Sequence, residues 1–92
     1  MRYELGDIAE EDLEGIRLHF SEPNQERYLA RLLASIQVSI EGLCEFPEAW
    51  PEREPGIRKR VLRRYPYVLI YAVDREREVV VVLRVVHQSR EY

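Results

Sequence analysis

The chain has 92 residues, of which 46% are hydrophobic and 34% are charged, and its formal net charge is −3. This length and composition predict a single domain over residues 1–92 and exclude a second folded unit, a low-complexity segment and an internal repeat. No stretch approaches the roughly 18 apolar residues that span a bilayer and the N-terminus lacks a signal-peptide core, so we expect a cytoplasmic protein with no membrane partner.

The N-terminal half predicts one strand and two helices. Residues 2–5 alternate apolar and polar side chains, as a strand does. Asp7 is placed to cap a helix that ends near Pro23. Its apolar residues form one stripe at helical spacing: Ala9, Leu13, Ile16 and Phe20. A second helix is predicted over residues 24–43, and together the two helices make a hairpin. The apolar stripe of this second helix comprises Leu29, Leu32, Leu33, Ile36, Ile40 and Leu43.

The segment over residues 46–56 contains three prolines. Proline donates no backbone hydrogen bond and breaks helices, so we expect a connecting loop in which neither a helix nor strand pairing continues. Trp50 lies inside this loop. We expect its ring to pack as a lid over the helix hairpin, with a base-stacking platform as the alternative.

Three strands are predicted after Gly56. Residues 57–64 suit a strand whose two faces carry arginines: one face would hold Ile57, Lys59, Val61 and Arg63, and the other Arg58, Arg60, Leu62 and Arg64. Residues 67–73 and 79–86 are rich in β-branched and aromatic residues, and the polar residues 74–78 join them as a hairpin turn. The predicted class is therefore α+β, in the order β-α-α-β-β-β, with the strand and helix hairpin packed on one face of a small, mainly antiparallel sheet.

The last two strands are apolar along almost their whole length, which indicates that both faces of the sheet are covered. A two-helix hairpin covers only one face. The second face therefore requires a partner chain, or else the C-terminal segment or the Trp50 loop must fold across it.

Charge is distributed unevenly along the chain. Residues 1–54 carry five arginines and thirteen acidic residues, a net −8, whereas residues 55–92 carry nine basic and four acidic residues, a net +5. Eight of those nine basic residues are arginine, which makes bidentate contacts with carboxylates and phosphates. The second half is the expected contact surface. The lone Cys44 excludes an internal disulfide and is expected to be a small buried filler, and the sequence predicts no metal site and no cofactor.

The order of these segments resembles the RelE/ParE superfamily, the toxins of bacterial type II toxin-antitoxin systems, and is most similar to its ParE branch. The similarity covers nearly the whole chain. It includes the first-helix pattern of alanine, Asp-Leu and isoleucine at Ala9, Asp12, Leu13 and Ile16. It continues with Pro47, Pro-Gly-Ile-Arg at 55–58, Tyr-Val-Leu-Ile-Tyr at 67–71 and Val-Leu-Arg-Val-Val-His-Gln at 82–88.

The resemblance implies a growth-inhibiting toxin of the plasmid-stabilisation type, neutralised by a cognate antitoxin whose C-terminal segment wraps around it. Two activities occur in the superfamily, DNA gyrase inhibition in ParE-like members and ribosome-dependent mRNA cleavage in RelE-like members. RelE-like nucleases place an arginine directly after a glycine-tyrosine pair in the third strand. The matching position here is Val68, which favours a gyrase inhibitor over an enzyme.

The candidate residues differ between the two activities. An inhibitor needs no catalytic residues, and the residues expected to bind target or antitoxin are Arg58, Lys59, Arg60, Arg63, Arg64, Arg84 and Arg90, with Arg58 and Arg84 foremost. The nuclease alternative, which acts on ribosome and mRNA, would use Lys59, Arg63, His87, Arg90 and Tyr92. A direct nucleic-acid-binding module and an inert, decayed toxin remain as further alternatives, and the acidic net charge makes direct nucleic-acid binding by the isolated toxin the less favoured of these.

Overall fold

The computed structural model of the chain describes residues 1–90, which form five strands, two α-helices and two short 3₁₀ turns. In chain order the elements are β1 (Arg2–Leu5), α1 (Asp7–His19), a 3₁₀ turn (Pro23–Gln25), α2 (Glu26–Glu45), β2 (Glu52–Glu54), β3 (Ile57–Val61), β4 (Tyr67–Asp74), β5 (Val79–His87) and a 3₁₀ turn (Gln88–Arg90).

The strands form one mixed sheet in the order β1-β5-β4-β3-β2. Only the β1–β5 pair is parallel, and the other three pairs are antiparallel. The β4–β5 register shifts between Ile70 and Tyr71, which pair with Arg84 and Val82, so Leu83 is the extra residue of a β-bulge. The predicted α+β class, with a strand, a helix hairpin and a mainly antiparallel sheet, is confirmed.

The core lies between the sheet and both helices. Leu69 and Tyr71 of β4 and Val82 of β5 are fully buried and belong to the same cluster as Leu32 and Leu43 of α2. Leu18 and Val38, which lie off the predicted apolar stripes, are 66% and 65% exposed. The helical periodicity of the sequence therefore identified the core faces of both helices.

The start of α1 differs from its prediction. Gly6, rather than Asp7, is the N-cap, and no side chain bonds to the free N–H groups of the first turn. Gly6 donates its N–H to the Val82 carbonyl at 2.9 Å, and a Cβ at Gly6 would lie 3.3 Å from that oxygen. The chain therefore turns from β1 into α1 in contact with β5, which leaves Asp7 in the first turn, where its charge favours the helix dipole.

The predictions for the proline segment and β3 were partly wrong. Glu52–Glu54 forms an edge strand that pairs with β3 in an irregular register, although no pairing was expected between Pro51 and Pro55. An edge strand bonds along one side only, so prolines that flank it remove no ladder bond. β3 ends at Val61, and Arg63 and Arg64 lie in the turn before β4 instead of in a strand. α2 also starts later than predicted, at Glu26, after the 3₁₀ turn.

The face of the sheet opposite the helices carries a second apolar surface. Alternation along the strands places on it Ile57, Val61, Val68, Ile70, Ala72, Val81 and Val86. Val68 is fully buried and Val61 is 46% exposed, and the other five are half-buried. Within residues 1–90 neither helix packs on this face, which we name the open sheet face.

Candidate functional site

A cleft separates α1 from the C-terminal half of β5. Its volume is about 580 Å³, and its walls include Asp12 and His19 of α1 and Arg84 and His87 of β5. Arg90, in the last described turn, also lines it. Three of the residues predicted from sequence, Arg84, His87 and Arg90, therefore share one cavity.

Asp12 organises the inner wall of this cleft. Its side chain is 15% exposed and accepts two hydrogen bonds from Arg84, from Nε at 2.8 Å and from Nη2 at 3.1 Å. It also accepts the backbone N–H of Val85 at 2.9 Å. Since β1 ends at Leu5, beside Val82, this N–H lies beyond the β1–β5 pairing. The Asp12 carboxylate therefore takes the place of a strand partner for the edge of β5. It also fixes the direction of the Arg84 guanidinium.

His87 is held by Ser89 within the same turn. The Ser89 backbone N–H lies 3.1 Å from Nδ1 of His87, and the Ser89 hydroxyl lies 2.8 Å from it. A backbone N–H only donates, so Nδ1 accepts and the proton of the neutral ring sits on Nε2. In this arrangement the Nδ1 lone pair of His87 is occupied by its own chain.

Tyr67 lies next to His87 in the sheet, and their ring centroids are 5.2 Å apart in an edge-to-face geometry. The Tyr67 side chain is buried, and burial raises the pKa of its phenol. A phenol with a raised pKa stays protonated at neutral pH. It can donate a hydrogen bond to a ligand in the cleft, but it does not act as a general base there.

Arg58 and Arg60 point to the helix side of the sheet and bind the chain itself. Arg58 donates to the Trp50 carbonyl at 2.6 Å, and its guanidinium lies 3.7 Å from the Glu52 carboxylate. Arg60 donates to the Ser39 carbonyl of α2 at 2.7 Å and stacks 4.2 Å from the centre of the Trp50 ring. Burial lowers the pKa of Arg60, which nevertheless stays charged.

Trp50 is half-buried against the core cluster, in agreement with its predicted role as a lid. Tyr71 of β4 holds the same segment, since its hydroxyl donates to the Pro47 carbonyl at 2.8 Å. Arg58, Arg60 and Tyr71 therefore fasten the proline segment to the body of the protein. Cys44, predicted to be buried, is half-buried beside it, and burial raises the pKa of its thiol.

The remaining predicted residues lie elsewhere. Arg63 and Arg64 are exposed in the turn between β3 and β4, and Lys59 is half-buried on the open sheet face, opposite Ile70. Tyr92 lies outside the described residues. The seven basic residues predicted as one contact surface are thus distributed over four places: the cleft, the proline segment, the open sheet face and the β3–β4 turn.

The contribution of Asp12 to the cleft was missed by sequence reasoning, which used it only as part of a helix pattern. Asp12 and Arg84 are 72 positions apart, and the bulge at Leu83 that sets the position of Arg84 has no signal in a run of valines. Within residues 1–90 no group of three or more His, Cys, Asp or Glu side chains could hold a metal. No helix in that part of the chain is long and apolar enough to cross a membrane.

Residues 3–92 match the sequence model of the ParE toxin of the type II toxin-antitoxin system parDE. Among solved structures, the chain is similar to one from the chromosomal ParDE toxin-antitoxin system of P. aeruginosa, with a TM-score of 0.79, 20% identity and coverage of 95% of each chain. It is also similar to one in the RelBE2 toxin-antitoxin complex of Mycobacterium tuberculosis, with a TM-score of 0.60, 28% identity and coverage of 94% of this chain and 95% of that one. No curated protein matches the chain at a significant level.

Proposed function

The chain belongs to the ParE toxin family of type II toxin-antitoxin systems, and from this premise we propose that it inhibits DNA gyrase and is neutralised by a cognate antitoxin. The proposal places the protein in the cytoplasm, where gyrase and DNA are found, and gives it a role in plasmid stabilisation. It requires binding to the target and no bond-breaking chemistry by the toxin.

The observation that carries the proposal is the environment of Val68. This residue occupies the position at which the resemblance places the arginine of RelE-like nucleases, and it is fully buried between Val61 and Val86. Stabilising the charge that develops on a phosphate needs a cation placed at the reacting group. A buried valine supplies none. The engagement of His87 Nδ1 by Ser89 supports the same conclusion, because it removes the lone pair that a general base would use.

The antitoxin part of the proposal rests on the open sheet face. Small sheets with an exposed apolar face tend to associate with another chain. Half-buried aliphatic side chains such as Ile57, Ile70 and Val81 would be buried fully by an apolar segment laid across β3, β4 and β5. Lys59 and Arg84 both pair in register with Ile70, so basic residues stand beside the apolar side chains that such a segment would contact.

The test compares the two activities on the same purified toxin. We expect inhibition of gyrase supercoiling with accumulation of cleaved DNA, and no cleavage of mRNA on the ribosome. Arg84→Ala is expected to weaken inhibition, whereas Arg77→Ala is not. The two arginines are a matched pair, since both are about half exposed and each pairs with a carboxylate, but Arg77 lies in the β4–β5 turn, away from the cleft.

Thermal melts of both variants separate loss of binding from loss of folding. Ribosome-dependent mRNA cleavage that disappears in His87→Ala or Arg90→Ala would overturn the proposal in favour of the nuclease alternative. Absence of growth arrest when the chain is expressed without its antitoxin would overturn the toxin function itself.

A further inference from the structure

One end of the molecule carries four exposed arginines. Arg27 and Arg31 are exposed on the first turns of α2, and Arg63 and Arg64 are exposed in the β3–β4 turn. Within residues 1–90 none of the four has a carboxylate within ion-pair distance. We name this set the arginine end.

Aromatic contacts bring the two pairs of arginines together. The Tyr28 and Tyr65 ring centroids are 5.6 Å apart, so the helix turn that carries Arg27 and Arg31 adjoins the loop that carries Arg64. Phe20 extends this row, with its centroid 5.0 Å from that of Tyr28. Arg27 and Arg31 are four residues apart and therefore lie on the same side of α2.

Tyr28 is 40% exposed, although it is a large aromatic residue. It lies between the two α2 arginines in sequence and against Tyr65 in space. The arginine end therefore combines exposed cations that form no ion pair within residues 1–90 and an aromatic ring that solvent can reach. Surfaces that bind single-stranded nucleic acid combine the same two features, with cations along the phosphates and rings beneath the bases.

The net charge of −3 does not oppose such binding, because the charges are separated in space. α2 has 20 residues and is about 30 Å long at 1.5 Å per residue. Glu41 and Glu45 lie at its other end. At physiological salt, charges are screened beyond about 8 Å, so a ligand at the arginine end is little affected by those carboxylates. Glu22 and Glu26 lie at the same end as the arginines and are outnumbered by them.

We propose that the arginine end binds the phosphate backbone of single-stranded nucleic acid, with Tyr28 as a stacking surface for a base. The prediction from the sequence that the isolated toxin does not favour direct nucleic-acid binding rested on the total charge. The segregation of charge is the observation that supports the opposite. The proposal is independent of gyrase inhibition, since it concerns a surface outside the cleft and is tested without gyrase.

The test is a fluorescence anisotropy titration of the purified toxin with a labelled 20-nucleotide single strand at several salt concentrations. Four phosphate contacts predict that log K falls with log salt with a slope of about −3, at roughly −0.7 per contact for single strands. The double variant Arg63→Gln/Arg64→Gln is expected to reduce that slope by about half. Tyr28→Ala is expected to weaken binding about tenfold, with a smaller change in slope.

The matched control is Arg75→Gln/Arg77→Gln, which removes the same charge from the opposite end and is expected to leave binding unchanged. A labelled polyglutamate peptide and a duplex of the same sequence distinguish other ligands, and the single strand is expected to bind more tightly than both. Equal loss in the two double variants, preference for polyglutamate or duplex, or absence of binding at low salt would overturn the proposal.

Discussion

Arginines at the two ends of the molecule differ in whether they form ion pairs. At the acidic end, which holds the carboxyl terminus of α2, the proline segment and the β4–β5 turn, three arginines are paired with carboxylates, whereas Arg53 of β2 forms no ion pair within residues 1–90. Arg58 lies between Glu48 and Glu52, Arg75 pairs with Glu48, and Arg77 pairs with Glu4. At the arginine end, within the described residues, Arg27, Arg31, Arg63 and Arg64 form no ion pair.

This difference indicates which arginines maintain the fold and which are available to another molecule. Sequence alone treats Arg58, Arg60, Arg63 and Arg64 as one basic run, because they lie within seven positions. The structure divides the run, since β3 directs its arginines to the helix side and then ends at Val61. Arginines before that point are anchors, and those after it are exposed.

The largest expected difference between the anchoring and the exposed arginines is in how much each stabilises the folded protein. Arg60→Ala removes the hydrogen bond to the Ser39 carbonyl and the stacking on Trp50, and leaves that carbonyl without its donor. We expect a loss of about 2 to 3 kcal/mol in the free energy of unfolding, measured by urea denaturation. Arg64→Ala is the control and should change it by less than about 0.5 kcal/mol. Equal effects of the two substitutions would contradict the division.

Asp12 provides a second stability test, in the cleft. Its carboxylate accepts hydrogen bonds from both the Arg84 side chain and the Val85 backbone N–H. Asp12→Ala leaves the Val85 N–H and the Arg84 guanidinium without their acceptor, so we expect a loss of about 1.5 to 3 kcal/mol. Asp12→Asn retains one oxygen for the Val85 N–H and should lose less. Hydrogen exchange of the Val85 amide is the direct readout, and unchanged protection in Asp12→Ala would show that the contact is not needed.

Two helical glycines test whether Arg60 is held firmly in place. A Cβ at Gly42 would lie 2.5 Å from Nη1 of Arg60, whereas a Cβ at Gly15 has no neighbour within 4 Å. Alanine gains about 1 kcal/mol over glycine inside a helix, so Gly15→Ala should stabilise by about that amount. Gly42→Ala must displace Arg60 from its anchor and should destabilise by about 1 kcal/mol. Differential scanning calorimetry distinguishes the signs, and stabilisation by both would mean that the Arg60 anchor is weak.

The smallest expected effect concerns the exposed ion pairs of the acidic end. The Arg75 guanidinium lowers the pKa of Glu48, so the pair favours the folded state above the ordinary glutamate pKa, and its contribution is lost as the pH falls through the lowered value. Arg75→Gln should return the pKa of Glu48 toward its ordinary range in an NMR titration, with little change in stability. Arg64→Gln should leave it unchanged. A Glu48 pKa that does not respond to Arg75→Gln would contradict the pairing.

Much of the fold could be predicted from sequence because its strongest signals are local. The valine-rich run of β5 and the apolar stripes of α1 and α2 specify their own secondary structure and their buried faces. β2 could not be predicted, since three charged residues between two prolines carry no strand signal and pair only because β3 lies beside them. The end of β3 at Val61 was missed for a similar reason, as the run of basic and apolar residues continues to Arg64 in the sequence.

The candidate site was less predictable because its contacts are long-range. The sequence identified Arg84 and His87 as candidates but gave no means of pairing Arg84 with Asp12 or of placing His19 across the cleft from His87. Both relations depend on how α1 docks on β5 beyond the end of β1. The internal roles of Arg58 and Arg60 likewise depend on the position of Trp50, which no pattern in the proline segment specifies.

The most direct test of the claim that the exposed arginines of the arginine end are available to another molecule is the anisotropy titration of the toxin with the labelled single strand. Two double variants are compared with the unmodified chain at equal protein concentration: Arg63→Gln/Arg64→Gln at the arginine end and Arg75→Gln/Arg77→Gln at the acidic end. We predict that the first binds more weakly, with about half the salt dependence, and that the second binds as tightly as the unmodified chain. Weaker binding by the second variant, or undiminished binding by the first, would contradict the account.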